Sequence, residues 1–167
     1  MLPFLGYLYS LVVRYLKGAS GRKRFNVLGA LHAVSHELVI VTNHTYINAL
    51  SVCDLLDKLH QQFKELPIVI VLDNARYQKC QLVMEKAQTL NIQLVFLPPY
   101  SPHLNLIERL WKFVKKQVLY NQHYPAYGQF CQAILDCLAQ THTTHKATLD
   151  TLLTPKFQSF ANVTFNP

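Results

Sequence analysis

Two carboxylates in contrasting settings carry the chemistry this chain could do. Asp73 closes the apolar run Ile68-Val69-Ile70-Val71-Leu72, which is β-branched and has the length of a buried strand. An aspartate at the end of such a strand sits where open α/β sheets place their ligand sites. Glu108 stands further on, in a segment with helical periodicity. Two acids held by a rigid scaffold suit a hard divalent ion such as magnesium, which prefers oxygen ligands, and paired ions clamp the attacking and leaving oxygens of a phosphodiester. The plainer alternative is an Asp-Asn turn and a solvated glutamate.

Basic and amide side chains accompany the two acids. Asn74 and Arg76 follow Asp73 in the turn, where a phosphate could approach, and Lys112, Lys115 and Lys116 share the Glu108 segment. Upstream, Arg22, Lys23 and Arg24, with Arg14 and Lys17, cluster around Gly18 and Gly21. These positions are expected to contact phosphates; the competing reading is a hairpin loop and a lysine-lined helix face in water.

The elements that must position these groups follow from periodicity. Phe25 to Val34 and Leu38 to Tyr46 read as an antiparallel hairpin, supported by the β-branched run Val39-Ile40-Val41-Thr42. Residues 48–63 follow helical rules, with Asn48 or Ser51 as cap and Leu55, Leu56, Leu59 and Phe63 on one face. Asp54 and Asp57 are placed near that helix's start, where acids complement the dipole. After the Asp73 strand comes a helix of about Gln78 to Leu90, expected to bury Leu82, Val83, Ala87 and Leu90, then a strand from Ile92 to Leu97. Pro98 and Pro99 stop that strand because they cannot donate ladder hydrogen bonds. The stiff turn Pro98–His103 then delivers a helix, capped by Ser101 or Asn105, whose stripe is Ile107, Leu110, Trp111, Val114 and Val118. Glu108 is placed to pair with Lys112 one turn on. Beyond Tyr120 the signal is weaker: Phe130 to Ala139 has helical spacing, and Leu149 to Phe160 reads as a short terminal element.

Composition bounds the class. The chain has 167 residues, half of them apolar and 15% charged, which excludes disorder and fits one domain with a real core. A net charge of +7 suits a polyanion partner. Cys53, Cys80, Cys131 and Cys137 show no disulfide framework, so a reducing cytoplasm is expected. Cys131, Cys137, His142 and His145 match no standard zinc spacing. The apolar run at residues 4–13 is too short to cross a bilayer and is read as a core strand.

Three motifs together resemble one family. Val71-Leu72-Asp73-Asn74-Ala75-Arg76, Leu97-Pro98-Pro99-Tyr100-Ser101-Pro102 and Leu104-Asn105-Leu106-Ile107-Glu108-Arg109-Leu110-Trp111 are similar to the DDE transposases of the mariner superfamily, in the branch found in bacterial insertion sequences. Gly21 to Ala30 resembles the same family, and the likeness runs from about Pro3 to Tyr120. The resemblance implies an α/β, RNase H-like mixed sheet flanked by helices, which cuts and joins DNA with magnesium, manganese serving as a substitute. Asp73 and Glu108 would match the family's second and third acids, both catalytic and metal-holding.

The strand carrying the family's first aspartate precedes the stretch resembled here, so the fold is expected to be N-terminally truncated. Residues 1–120 would form the catalytic core without its first strand, and 121–167 a helical extension of it. The expected partners are DNA and either the upstream part of the transposase or a full-length transposase, with a homodimer left open and no membrane. The chain is then the C-terminal product of a split gene, inactive alone; a non-catalytic regulatory module binding DNA or transposase, or a decayed remnant, are the alternatives.

Overall fold

The computed structural model describes residues 23–64, 66–98, 104–120 and 122–154. Arg22, the run at 4–13, Ser101 with most of the proline turn, and the stretch beyond Thr154 lie outside the described residues.

Strands β1 (Asn26–Leu31) and β2 (Leu38–Asn43) pair antiparallel, with Asn26 opposite Asn43 and Leu31 opposite Leu38. This is the expected hairpin. Its two faces are both apolar, and alternation sends them to different partners. Val39 and Val41, with Leu28 and Ala30, pack on helix α1 (Ala49–Gln62) through Leu55 and Leu59. Val27, Leu31, Leu38 and Ile40 pack on helices from the second half of the chain.

Asn48 is the N-cap of α1: its side chain accepts from Ser51 N–H at 3.1 Å, and Ser51 Oγ accepts from the Asn48 N–H at 3.4 Å. The two candidates for the cap are thus the two halves of one capping box. Asn48→Ala is expected to lower stability by about 1 kcal/mol, measured as a shift in the urea midpoint at unchanged slope. Asp54 and Asp57 do not lie in the first turn of α1. Asp57 instead meets Lys86 Nζ at 2.7 Å and ties α1 to the next helix, which corrects the dipole role expected for it.

The direction of α1 decides where strand ends fall. Asn43, ending β2, reaches Ser51 at the start of α1 (3.5 Å), while His32 just past β1 stacks on Phe63 at its end. α1 therefore runs back along β2, and β3 (Ile68–Leu72), starting where α1 ends and packing Ile68 and Ile70 beneath it, runs the same way as β2. The carboxyl ends of β2 and β3 share one edge of the fold.

β3 pairs in parallel with β4 (Ile92–Phe96), Leu72 opposite Phe96. The crossover is a 3-10 turn at Arg76–Gln78 followed by α2 (Gln81–Thr89), which starts later than its periodicity predicts. α2 buries Val83 and Ala87; Leu82, expected in the core, is exposed. Asn91 follows α2 with φ 54°, the left-handed conformation that ends helices and that asparagine tolerates.

Helices α3 (Leu106–Val118), α4 (Tyr127–Ala139) and α5 (Lys146–Leu152) form the second layer. Asn105 caps α3, accepting from Ile107 N–H at 3.3 Å. α3 lies on β1 at Gly29, where a Cβ would make ordinary van der Waals contact with Trp111 at 3.4 Å and Ile107 at 3.5 Å. Leu110 and Leu149 are wholly buried, with Phe113, Val114, Ile134 and Leu138 around them. The molecule is thus α/β with helices on both faces. The strands form two two-stranded ladders rather than one continuous sheet, because among the described residues nothing pairs β1 with β3. Val69, Val71 and Val95 lie exposed on the outer face of the parallel ladder, although such ladders are normally covered on both faces.

His36, in the hairpin turn with φ 61°, is buried and lies 3.5 Å from Asp150 of α5. Burial pushes its pKa below the ordinary 6.5, outweighing the pull of Asp150. The unfolded chain then binds the proton more readily, so stability is full above pH 6.5 and falls as the pH drops below that value. His36→Asn, which keeps a residue tolerant of positive φ, is expected to flatten the pH dependence of the melting temperature between pH 7 and 5.

Candidate active site

Asp73 follows the last residue of β3 and is exposed. Its position is built by the ladder and by the turn after it. Leu97 N–H donates to Leu72 O at 2.9 Å, extending the register past β4, and the Asn74 side-chain amide donates to Leu97 O. The two strand exits are therefore stitched together next to the acid. One Asp73 oxygen, Oδ1, accepts from Ala75 N–H at 3.3 Å, an Asx turn that fixes the carboxylate and leaves Oδ2 for a ligand. Asn74 Oδ1 is buried with no partner among the described residues. Arg76 is exposed in the 3-10 turn.

Sequence reasoning missed Tyr77. Its ring packs among residues of the first half of α1, and its phenol is pushed above its ordinary pKa first by burial and then by the charge of Asp73. It remains protonated at neutral pH. A tyrosine four residues past a strand-ending aspartate carries no pattern of its own.

Glu108 is in the first turn of α3 and is exposed, away from the buried stripe formed by Leu110, Phe113 and Val114. An acid at that point also favours the helix, whose N-terminus carries partial positive charge. The expected pairing with Lys112 is not formed: among the described residues no ion pair joins them. Lys112, Lys115 and Lys116 are all exposed, the last two in the closing turn of α3. Arg109, between the core and Glu108, donates to Thr154 O at 2.8 Å and anchors α3 to the end of α5. Lys23 and Arg24 are exposed ahead of β1, beside the carboxyl end of β2.

Asp73, with Oδ2 outside the turn's hydrogen bond, and Glu108 are each a ligand of the kind a hard divalent ion takes. The donor set is short in number. Among the described residues no three His, Cys, Asp or Glu side chains gather to hold a metal. The same holds for Cys131, Cys137, His142 and His145; Cys137 is buried with its sulfur 3.8 Å from His145 Nε2, as an ordinary core thiol.

Solved structures define the class of fold. The chain is similar to a protein of the simian T-cell lymphotropic virus intasome complexed with the PP2A regulatory subunit B56γ (16% identity, TM-score 0.55, 73% of this chain and 43% of that one). It is also similar to the catalytic core domain of BIV integrase (14% identity, TM-score 0.52, 76% and 93%). A third likeness is to the Mos1 mariner paired-end complex with Mn (15% identity, TM-score 0.52, 86% and 50%). The chain thus spans about half or less of the intasome and Mos1 chains. The architecture is the RNase H-like α/β fold of integrase and transposase catalytic cores. The family follows from the sequence: the model of the DDE superfamily endonuclease family matches residues 12–131, and the chain belongs to that family. No curated protein matches it.

Proposed function

We propose that this chain is the C-terminal part of an insertion-sequence DDE transposase, and that it takes part in cleavage and joining of DNA phosphodiesters once a further aspartate-bearing segment is joined to it. The observation that carries the reading is Asp73 at the exit of a parallel ladder, set in an Asx turn with one oxygen free. Support comes from the family match and from the likeness to a Mos1 paired-end complex that holds Mn.

In this reading Asp73 and Glu108 hold magnesium, or manganese in its place. When bound, such an ion would supply acidification of the attacking hydroxyl and neutralisation of charge on the phosphate. The chain's own residues orient the substrate: Arg76 and Asn74 flank Asp73 where a phosphate enters, Tyr77 offers a phenol proton nearby, and Lys112, Lys115 and Lys116 with Arg22, Lys23 and Arg24 meet the DNA backbone. One observation favours a second reading, a non-catalytic module that binds DNA or full-length transposase: no third acid joins Asp73 and Glu108 among the described residues. Metal-dependent cleavage by the chain before and after upstream extension separates the two.

A further inference from the structure

A second group of side chains stands at the edge of the fold where β2 ends. Lys23, Arg24, His44, Thr45, Tyr46 and Tyr127 line an open depression of about 660 Å³. It contains two cations and no carboxylate, so it favours an anion. It also presents flat groups in fixed poses. The Arg24 guanidinium lies 4.3 Å from the centroid of the Tyr46 ring, and its Nη1 donates to Thr45 O at 3.2 Å. Lys23 Nζ lies 5.2 Å from the centroid of the Tyr127 ring.

The backbone beneath is unusually well tied for an exposed loop. Asn43 Nδ2 donates to Tyr46 O at 3.0 Å, Asn43 Oδ1 accepts from Thr45 N–H, and Asn26 Nδ2 donates to both Asn43 Oδ1 and Thr45 O at 2.9 Å. From the other side of the chain, Tyr127 donates its hydroxyl to Arg24 O at 2.6 Å, and His44 Nδ1 lies 3.1 Å from that hydroxyl. Yet Tyr46 itself is 70% exposed. A large aromatic ring held out on a rigid loop loses little entropy when something stacks on it.

We infer that Tyr46 and Arg24 form a stacking platform for an unpaired nucleotide of a DNA strand, with Lys23 meeting its phosphate. A nucleotide joins a flat π-face to a neighbouring anion, the two features this depression receives. The site lies on the edge of the fold that also carries Asp73, because β2 and β3 run the same way. The inference rests on the DNA-processing reading above and deepens it: it names single-stranded or flipped-out DNA, rather than intact duplex, as what this edge holds.

The test is binding without chemistry. The full chain is titrated in EDTA with labelled duplex DNA that is either blunt or extended by a short single-stranded overhang, read by fluorescence anisotropy. The chain is expected to prefer the overhang DNA by about tenfold, the scale of one base stacked on an aromatic side chain. Tyr46→Ala removes that preference and leaves blunt-duplex affinity unchanged, while Tyr46→Phe retains it. Lys23→Ala weakens the overhang DNA more than the blunt duplex and lowers the overhang DNA's salt slope by about one. Equal affinity of the parent chain for both DNAs, or a preference that survives Tyr46→Ala, overturns the proposal. An equal loss on both DNAs also overturns it, reducing the edge to a general contact surface. Because Tyr46 is solvent-facing and its loop is tied through backbone atoms and other side chains, the variant keeps its fold, checked by the melting curve of Trp111 fluorescence. The metal-dependent cleavage reading stands or falls separately, since no metal enters this assay.

Discussion

Strand cleavage of a DNA carrying an element end, with magnesium or manganese, is expected to stay at background for residues 1–167 alone and to appear when the chain is extended upstream through a strand that ends in a further aspartate. Two exposed carboxylates hold one ion weakly and leave a second undersupported, whereas phosphodiester transfer needs charge neutralised at both the attacking and the leaving oxygen. In the extended protein, Asp73→Asn and Glu108→Gln are each expected to slow cleavage by about 10³-fold. That corresponds to losing about 4 kcal/mol of transition-state stabilisation, within the several kcal/mol attributed to a bound ion's charge. Asp73→Asn is the sharper probe. An asparagine there still accepts from Ala75 N–H, so the turn survives and only the charge is lost. Unchanged melting with lost cleavage assigns Asp73 to the metal. Cleavage by the short chain that disappears in both variants would show that the two acids suffice. Undiminished cleavage by Asp73→Asn in the extended protein would remove Asp73 from the site altogether.

The second large effect concerns the layer that carries Glu108. Leu110→Ala is expected to lower stability by about 3 kcal/mol, since Leu110 is wholly buried among Phe113, Val114, Leu138 and Leu149 and the rigid helices around it collapse only partly into the cavity. For a domain of this size that is a fall of roughly 6–12 °C in melting temperature. Leu82→Ala, also a leucine on a helix but exposed, is expected to change it little. The contrast is informative because Leu110 stands two residues from Glu108 on the opposite side of α3. If Leu110→Ala left the melting point unchanged, the packing of α3 against α4 and α5 would not be what holds Glu108 in place.

Much of this arrangement was legible in the residues. The alternation of Val39-Ile40-Val41, the apolar run before Asp73 and the period of Ile107, Leu110, Trp111 and Val114 each specify an element, because burying one face of a strand or helix leaves its own repeat in the chain. Asn48 and Asn105 were readable as caps for the same local reason. The places of Asp73 at a strand exit and Glu108 in a helix's first turn were legible because apolar runs of those periods surround them.

What the chain could not announce is what depends on which elements meet. Asp57 reads as a helix-dipole acid, but α2 brings Lys86 to it. Leu82 reads as core, but α2 packs through Val83 and Ala87 and leaves Leu82 exposed. Tyr127 lies 103 residues from Arg24, so no local spacing could join them. Local periodicity determined the strands, helices and caps of this protein, and where Asp73 and Glu108 fall on them. The direction of α1, the common edge of β2 and β3 and the aromatic platform upon it were decided by tertiary packing, because they rest on contacts between residues far apart in the chain.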